Sequence, residues 1–176
     1  DDNNNDNDIF AIVMVIVMII LGIDPGTTRI GYGFIEQKGS RFTHLASGLF
    51  PTSRGTLSER LVVLEKNLDS LVRKYHPEVA GVEKVFLHTN QKTAIEVAEA
   101  RGVILLVLAR RGVPLIELSP PEIKLAVGGD GRATKAGVAQ MVSHFLQESF
   151  SGKIDDVTDA LAVAIAASGR PTRIPK

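Results

Sequence analysis

The chain has 176 residues, no cysteine, and 20 basic against 20 acidic side chains. That length holds one α/β domain with a proper core and excludes a two-lobed enzyme. The missing thiols exclude disulfides, zinc–thiolate sites, iron–sulfur clusters and thiol catalysis, which leaves oxygen or histidine for any metal. The neutral balance hides an asymmetry: residues 1–8 (DDNNNDND) carry four Asp and no base, so residues 9–176 hold 20 bases against 16 acids. Charge therefore permits a polyanionic partner without requiring one.

The polar tract at residues 1–8 lacks the apolar content to fold on its own. Thirteen apolar residues follow, Ile9–Leu21. A membrane-spanning helix needs about 18 or more, and a secretory signal needs a basic flank where this one is acidic. No membrane association is expected, and a cytoplasmic location is. β-Branched Ile and Val favour a strand, so Met18–Ile23 reads as a buried first strand. Residues 1–17 are expected to be an extension without catalytic role, residues 18–169 the domain, and residues 170–176 a flexible tail.

Further strands are expected at Ile30–Ile35, Arg41–Phe50, Val79–Val82 and Val113–Leu118, the last at an edge because of Pro114. Leu57, Leu61, Leu64, Leu68 and Leu71 recur at helical spacing, with Thr56 or Ser58 as cap and Pro77 as stop. Helices are expected also at 93–111, at 123–127 after the Ser-Pro-Pro-Glu start signal, at 135–147, and at 155–168, which is apolar almost all round and so buried. This order predicts an α/β fold: one five-stranded mixed sheet flanked by helices on both faces.

Four carboxylates stand where structure alone does not ask for them. Asp24 ends the first strand and Glu83 the fourth. Asp156 and Asp159, three apart, project from one side of a helix in its first turn. If the first and fourth strands are parallel neighbours, all four meet at the carboxyl edge of the sheet, where ligands collect in such folds. Clustered carboxylates select a hard cation such as Mg²⁺ or Mn²⁺. Asp24 also fits a turn residue, Glu83 a solvated strand end, and Asp155 a helix cap. His44, His76, His88 and His144 lack ligand spacing and read as surface or loop residues.

Ile20–Gly33 (ILGIDPGTTRIGYG), Val82–Phe86 (VEKVF), Ala98–Val103 (AEARGV), Pro120–Gly129 (PPEIKLAVGG) and Asp156–Ala164 (DVTDALAVA) together resemble the RuvC family of Holliday-junction resolvases. The resemblance runs from about Ile19 to about Ala167. It implies an RNase H-like fold and a homodimeric endonuclease that nicks two opposed strands of a four-way DNA junction. Such enzymes use divalent metal, Mg²⁺ or Mn²⁺, with two ions in each site. It puts the catalytic, metal-binding carboxylates on Asp24, Glu83, Asp156 and Asp159. It puts DNA contacts on Phe86, which acts on bases at the junction centre, and on Lys124 and Lys135; Lys84 and Arg132 are basic neighbours expected to join them. It also suggests branch-migration partners of the RuvA/RuvB kind.

Two-metal hydrolysis of a phosphodiester needs no side-chain nucleophile, in keeping with the absent cysteine. Val103–Leu108 is apolar on every side, which predicts a C2 dimer through the second helix, with Leu105 and Leu108 as outward positions. An actin-like kinase matches the GIDPGTT loop but needs two such domains. An RNase H-like nuclease of the YqgF type acting on RNA and a non-catalytic junction-binding module are the remaining alternatives.

Overall fold

Three consecutive extended segments pair into a meander: β1 (Val17–Pro25), β2 (Ile30–Lys38) and β3 (Arg41–Leu49), each antiparallel to the next. The computed structural model describes residues 16–26, 29–51, 55–84, 91–150 and 155–170. β4 (Val79–Glu83) then joins β1 in parallel, and β5 (Leu115–Leu118) joins β4 in parallel, for a sheet order β3-β2-β1-β4-β5. Parallel neighbours need crossovers. α1 (Leu57–Tyr75) supplies the one before β4 and α2 (Gln91–Arg110) the one before β5. α3 (Pro120–Gly128), α4 (Lys135–Leu146) and α5 (Asp155–Ser168) follow.

Strand alternation divides the core in two. Leu21, Ile23, Phe34, Ala80 and Val82 face α1 and α2, while Ile20, Ile35 and Val79 face α3, α4 and α5. This is the mixed sheet with helices on both faces that the sequence predicts. α1 begins at a capping box: the Glu59 amide donates to the Thr56 hydroxyl, and the Thr56 amide donates to Glu59 Oε2 at 2.7 Å. It ends at His76 in the left-handed region, just before Pro77.

A row of glycines seats α5. Gly22 of β1 is in register with Gly33 of β2 and Gly81 of β4. A Cβ at Gly22 would overlap the Ala160 carbonyl oxygen, one at Gly33 would come within 2.6 Å of Leu161, and one at Gly81 within 2.9 Å of Ala167. The bare strip lets the helix sink onto the sheet, which explains why α5 is buried from Val157 to Ala167 apart from Asp159.

Three expectations need correction. β5 starts at Leu115, because Pro114 has no amide to pair; its carbonyl instead accepts from the Ala80 amide at 2.9 Å. His44 is no surface residue: it lies on β3 against the Phe150 ring and is 2.8 Å from Glu148 Oε2 and 2.9 Å from Ser47 Oγ. Leu108 does not face outward; it is 1% exposed, and Leu106, at 48%, takes that place.

Candidate active site

β1 and β4 lie side by side with Ile23 opposite Val82. Asp24 and Glu83, the next residues, therefore stand as neighbours at the carboxyl edge of the sheet. Each stands two residues beyond a glycine of the row, so both point to the face that α5 covers. The first turn of α5 lies over the same edge. Gly31, the partner of Asp24 on β2, has no room for a Cβ because the Asp156 carbonyl oxygen is there.

The cluster is short of positive charge. Burial, then the charges of Glu83, Asp159 and Asp156, push the Asp24 carboxyl up to about 7, against the pull of Lys135. Burial and Asp159 push Glu83 up to about 7 as well, against Lys135 and Lys124. Asp159 is raised chiefly by burial, while its bond with Lys135 works the other way. Lys135 Nζ is 2.9 Å from Asp159 and 3.3 Å from Asp155, and Arg29 Nε is 3.3 Å from Asp156. Asp155, expected as a cap, thus opens α5 with its carboxylate paired to Lys135.

A cleft of about 230 Å³ runs past this cluster, lined by Glu83, Lys124, Lys135 and Asp159 with apolar walls that include Ile123 and Val138. Lys124 is held there by α3. That helix starts at a Ser119–Glu122 capping box, and Arg170 reaches Glu122 at 2.9 Å. These bonds, from the Ser119 hydroxyl and amide and from Arg170, hold Glu122 down to about 2. Lys84 is exposed immediately after Glu83, and Arg132 is exposed in the α3–α4 loop; neither lines the cleft. Phe86 and His88 lie outside the described residues. Sequence reasoning missed Arg29 and Gly31. The only local signal for either was their place in the segment that follows Asp24.

A family model described as crossover junction endodeoxyribonuclease RuvC matches residues 20–167. The chain belongs to the RuvC family. A curated RuvC of Clostridioides difficile, named crossover junction endodeoxyribonuclease, is 48% identical over 149 residues, 84% of this chain and 88% of that protein. Among solved structures, T. thermophilus RuvC in complex with Holliday junction substrate superposes with a TM-score of 0.81 at 30% identity, covering 86% of this chain and 93% of that one. The yeast mitochondrial Holliday junction resolvase Ydc2 shares the fold, with a TM-score of 0.63 at 16% identity. The RNase H-like reading of the fold stands, and membership of the RuvC family sets aside the YqgF and binding-module alternatives.

RuvC nucleases are metal-dependent endonucleases. The donor set here fits a hard divalent ion. All four groups are carboxylates, and burial, followed by the charge of neighbouring carboxylates, holds two of them up at about 7. As they stand, no three acidic or histidine side chains among the described residues are gathered around one point closely enough to hold an ion. Arg29 and Lys135 pair with the α5 carboxylates instead.

Proposed function

We propose that this chain resolves four-way DNA junctions by paired nicking as a homodimer, with Asp24, Glu83, Asp156 and Asp159 as the ligands of two Mg²⁺ or Mn²⁺ ions per site. The observation that carries this reading is the meeting of half-buried Asp24 and Glu83 with the first turn of α5 at one edge of the sheet. Divalent ions bound there supply Lewis-acid polarisation of the phosphate and an activated water. The chain's own side chains do the rest. Lys124 and Lys135 hold phosphates in the cleft, which gives affinity without reading bases. Lys84 and Arg132 extend the basic surface beside it. Phe86 stacks on an unpaired base near the crossover, an interaction worth roughly 1–3 kcal/mol.

Dimerisation is supported by α2. Ile95, Ala98, Gly102, Leu106 and Ala109 are exposed and fall at helical spacing on one stripe, while Ile104, Val107 and Leu108 are buried inward. An open junction has a two-fold axis, and an isologous dimer matches it with one site on each opposed strand. Family membership also suggests RuvA/RuvB-type branch-migration partners and a cytoplasmic location. No described helix is long and apolar enough to cross a membrane.

The test is a labelled synthetic junction incubated with and without Mg²⁺ or Mn²⁺. Symmetric nicks that require the ion support the reading. Metal-independent cleavage, or cleavage that survives Asp24→Asn in pure protein, overturns it. For Phe86, the informative comparison is Phe86→Ala on intact and on pre-nicked junctions, where a selective loss on the intact one is expected.

A further inference from the structure

Arg29 follows β1 and precedes β2, and its Nε reaches to 3.3 Å from Asp156 Oδ2. The two ends of this pair differ. The Arg29 side chain is 55% exposed and that of Asp156 only 25%, so a solvent-facing guanidinium leans in to neutralise a largely covered carboxylate. The backbone fixes both partners. A Cβ on Gly26 would overlap the Arg29 carbonyl oxygen, and the bare Gly31 receives the Asp156 carbonyl. The position of each residue is set, while the long arginine side chain keeps open space on its outer side.

Asp159 has the same kind of partner in Lys135, whose side chain is 59% exposed. The two α5 carboxylates of the cluster are thus each compensated by an exposed cation, whereas no ion pair is formed by Asp24 or Glu83 among the described residues. A pair whose cation end stands in solvent is screened there and readily exchanged. Arg29 contacts one oxygen, Oδ2, so a divalent ion drawn to Asp156 would compete with it for that carboxylate's charge. The freed guanidinium then lies beside the cluster, with planar geometry suited to a phosphate.

We propose that Arg29 is the built-in counter-ion of Asp156, competing with divalent metal for that carboxylate and passing to a DNA phosphate when metal and strand are bound. The inference rests on Asp156 being a metal ligand. Arg29 acts on the metal through Asp156, as a positioning residue, and touches the DNA directly.

The experiment measures Mn²⁺ binding to the full chain without DNA, by the electron paramagnetic resonance of free Mn²⁺, for the unmodified protein, R29Q, R29K and D156N. R29Q is expected to bind Mn²⁺ roughly two- to fivefold more tightly, as removal of a weak competitor implies, and R29K to return to the unmodified value. The Mn²⁺-induced rise in melting temperature should increase in R29Q in parallel. Junction binding in Ca²⁺ should weaken in R29Q with a salt slope lower by about one phosphate, and recover in R29K. If D156N weakens Mn²⁺ binding but R29Q leaves it unchanged or weaker, the inference falls and the metal site stands. If D156N binds Mn²⁺ as the unmodified chain does, the assignment of Asp156 falls and takes the inference with it.

Discussion

Gly31 on β2 and Asp156 on α5 compete for one space: a Cβ on the glycine would overlap the Asp156 carbonyl oxygen. Gly31 is also the strand partner of Asp24. The absent side chain therefore sets the gap between the strand that carries one carboxylate and the helix that carries two others. Gly31→Ala forces α5 away at its first turn. The expected loss of stability is about 1–3 kcal/mol, the usual range for overpacking. Cleavage should fall further than stability does, because a site displaced by an ångström no longer holds its groups in working geometry. Gly169→Ala is the control, since nothing lies within 4 Å of a Cβ there. Urea titration and junction cleavage on the two variants decide the matter, and equal activity would show that the glycine is not a spacer.

Asp24 and Glu83 predict how the metal-free protein responds to pH. Their ordinary values are 3.8 and 4.5, and in the fold both rise to about 7. The native state then holds protons that the unfolded chain has lost. Their contribution to stability is fully present below about pH 4 and is lost as pH climbs through about 7. On account of these groups metal-free protein should be less stable at pH 8 than at pH 5, by on the order of a few kcal/mol, and so melt at a lower temperature. Asp24→Asn should flatten this slope, raise the melting temperature at pH 8, and abolish cleavage while junction binding holds or increases. At limiting Mg²⁺, cleavage by the unmodified enzyme should rise between about pH 6 and 8 as protons leave these two proposed ligands. A pH-independent melting temperature that Asp24→Asn does not change would contradict the raised values of Asp24 and Glu83.

Lys135 and Lys124 differ in what their removal exposes. Lys135→Ala strips Asp159 and Asp155 of their partner and removes a charge that lowers both Asp24 and Glu83. Its pH–rate profile should shift to higher pH as well as fall. Lys124 lowers Glu83 alone of the two, so Lys124→Ala should lose rate with a smaller shift. Both variants should weaken binding to every junction sequence alike, each reducing the salt slope by about one. Altered sequence preference at unchanged affinity would make the lysines base readers.

Much of this was legible because the signals are local. An apolar strand ending in a carboxylate identifies Asp24 and Glu83, and a three-residue spacing puts Asp156 and Asp159 on one helix side. Turn chemistry and helical periodicity give the order of elements. The row Gly22, Gly33 and Gly81 was not legible as a seat, because its meaning lies in register between strands far apart in sequence and in the helix laid across them. Arg29 was passed over for the same reason: its partner is 127 positions away. In α2, an apolar run on every side gives no inward direction, so the choice of Leu108 as outward had no phase to rest on.

The packed phase of α2 now makes the dimer prediction specific. Leu106 is 48% exposed on the stripe with Ile95 and Gly102, whereas Leu108 is 1% exposed in the core against α1 and the sheet. Leu106→Glu puts a charge on a surface that a second copy would cover, where burying it unpaired is costly, but where an isolated monomer leaves it in water. It should yield folded monomers with an unchanged melting temperature at low concentration, and with paired nicking replaced by slow single nicks. Leu108→Glu buries a carboxylate without a partner inside the subunit, so it should unfold the protein rather than split it. Sedimentation velocity at micromolar concentration, read with circular dichroism and a cruciform plasmid that distinguishes one nick from two, separates these outcomes. If Leu106→Glu remains a dimer with coordinated cleavage, the α2 stripe is not the interface.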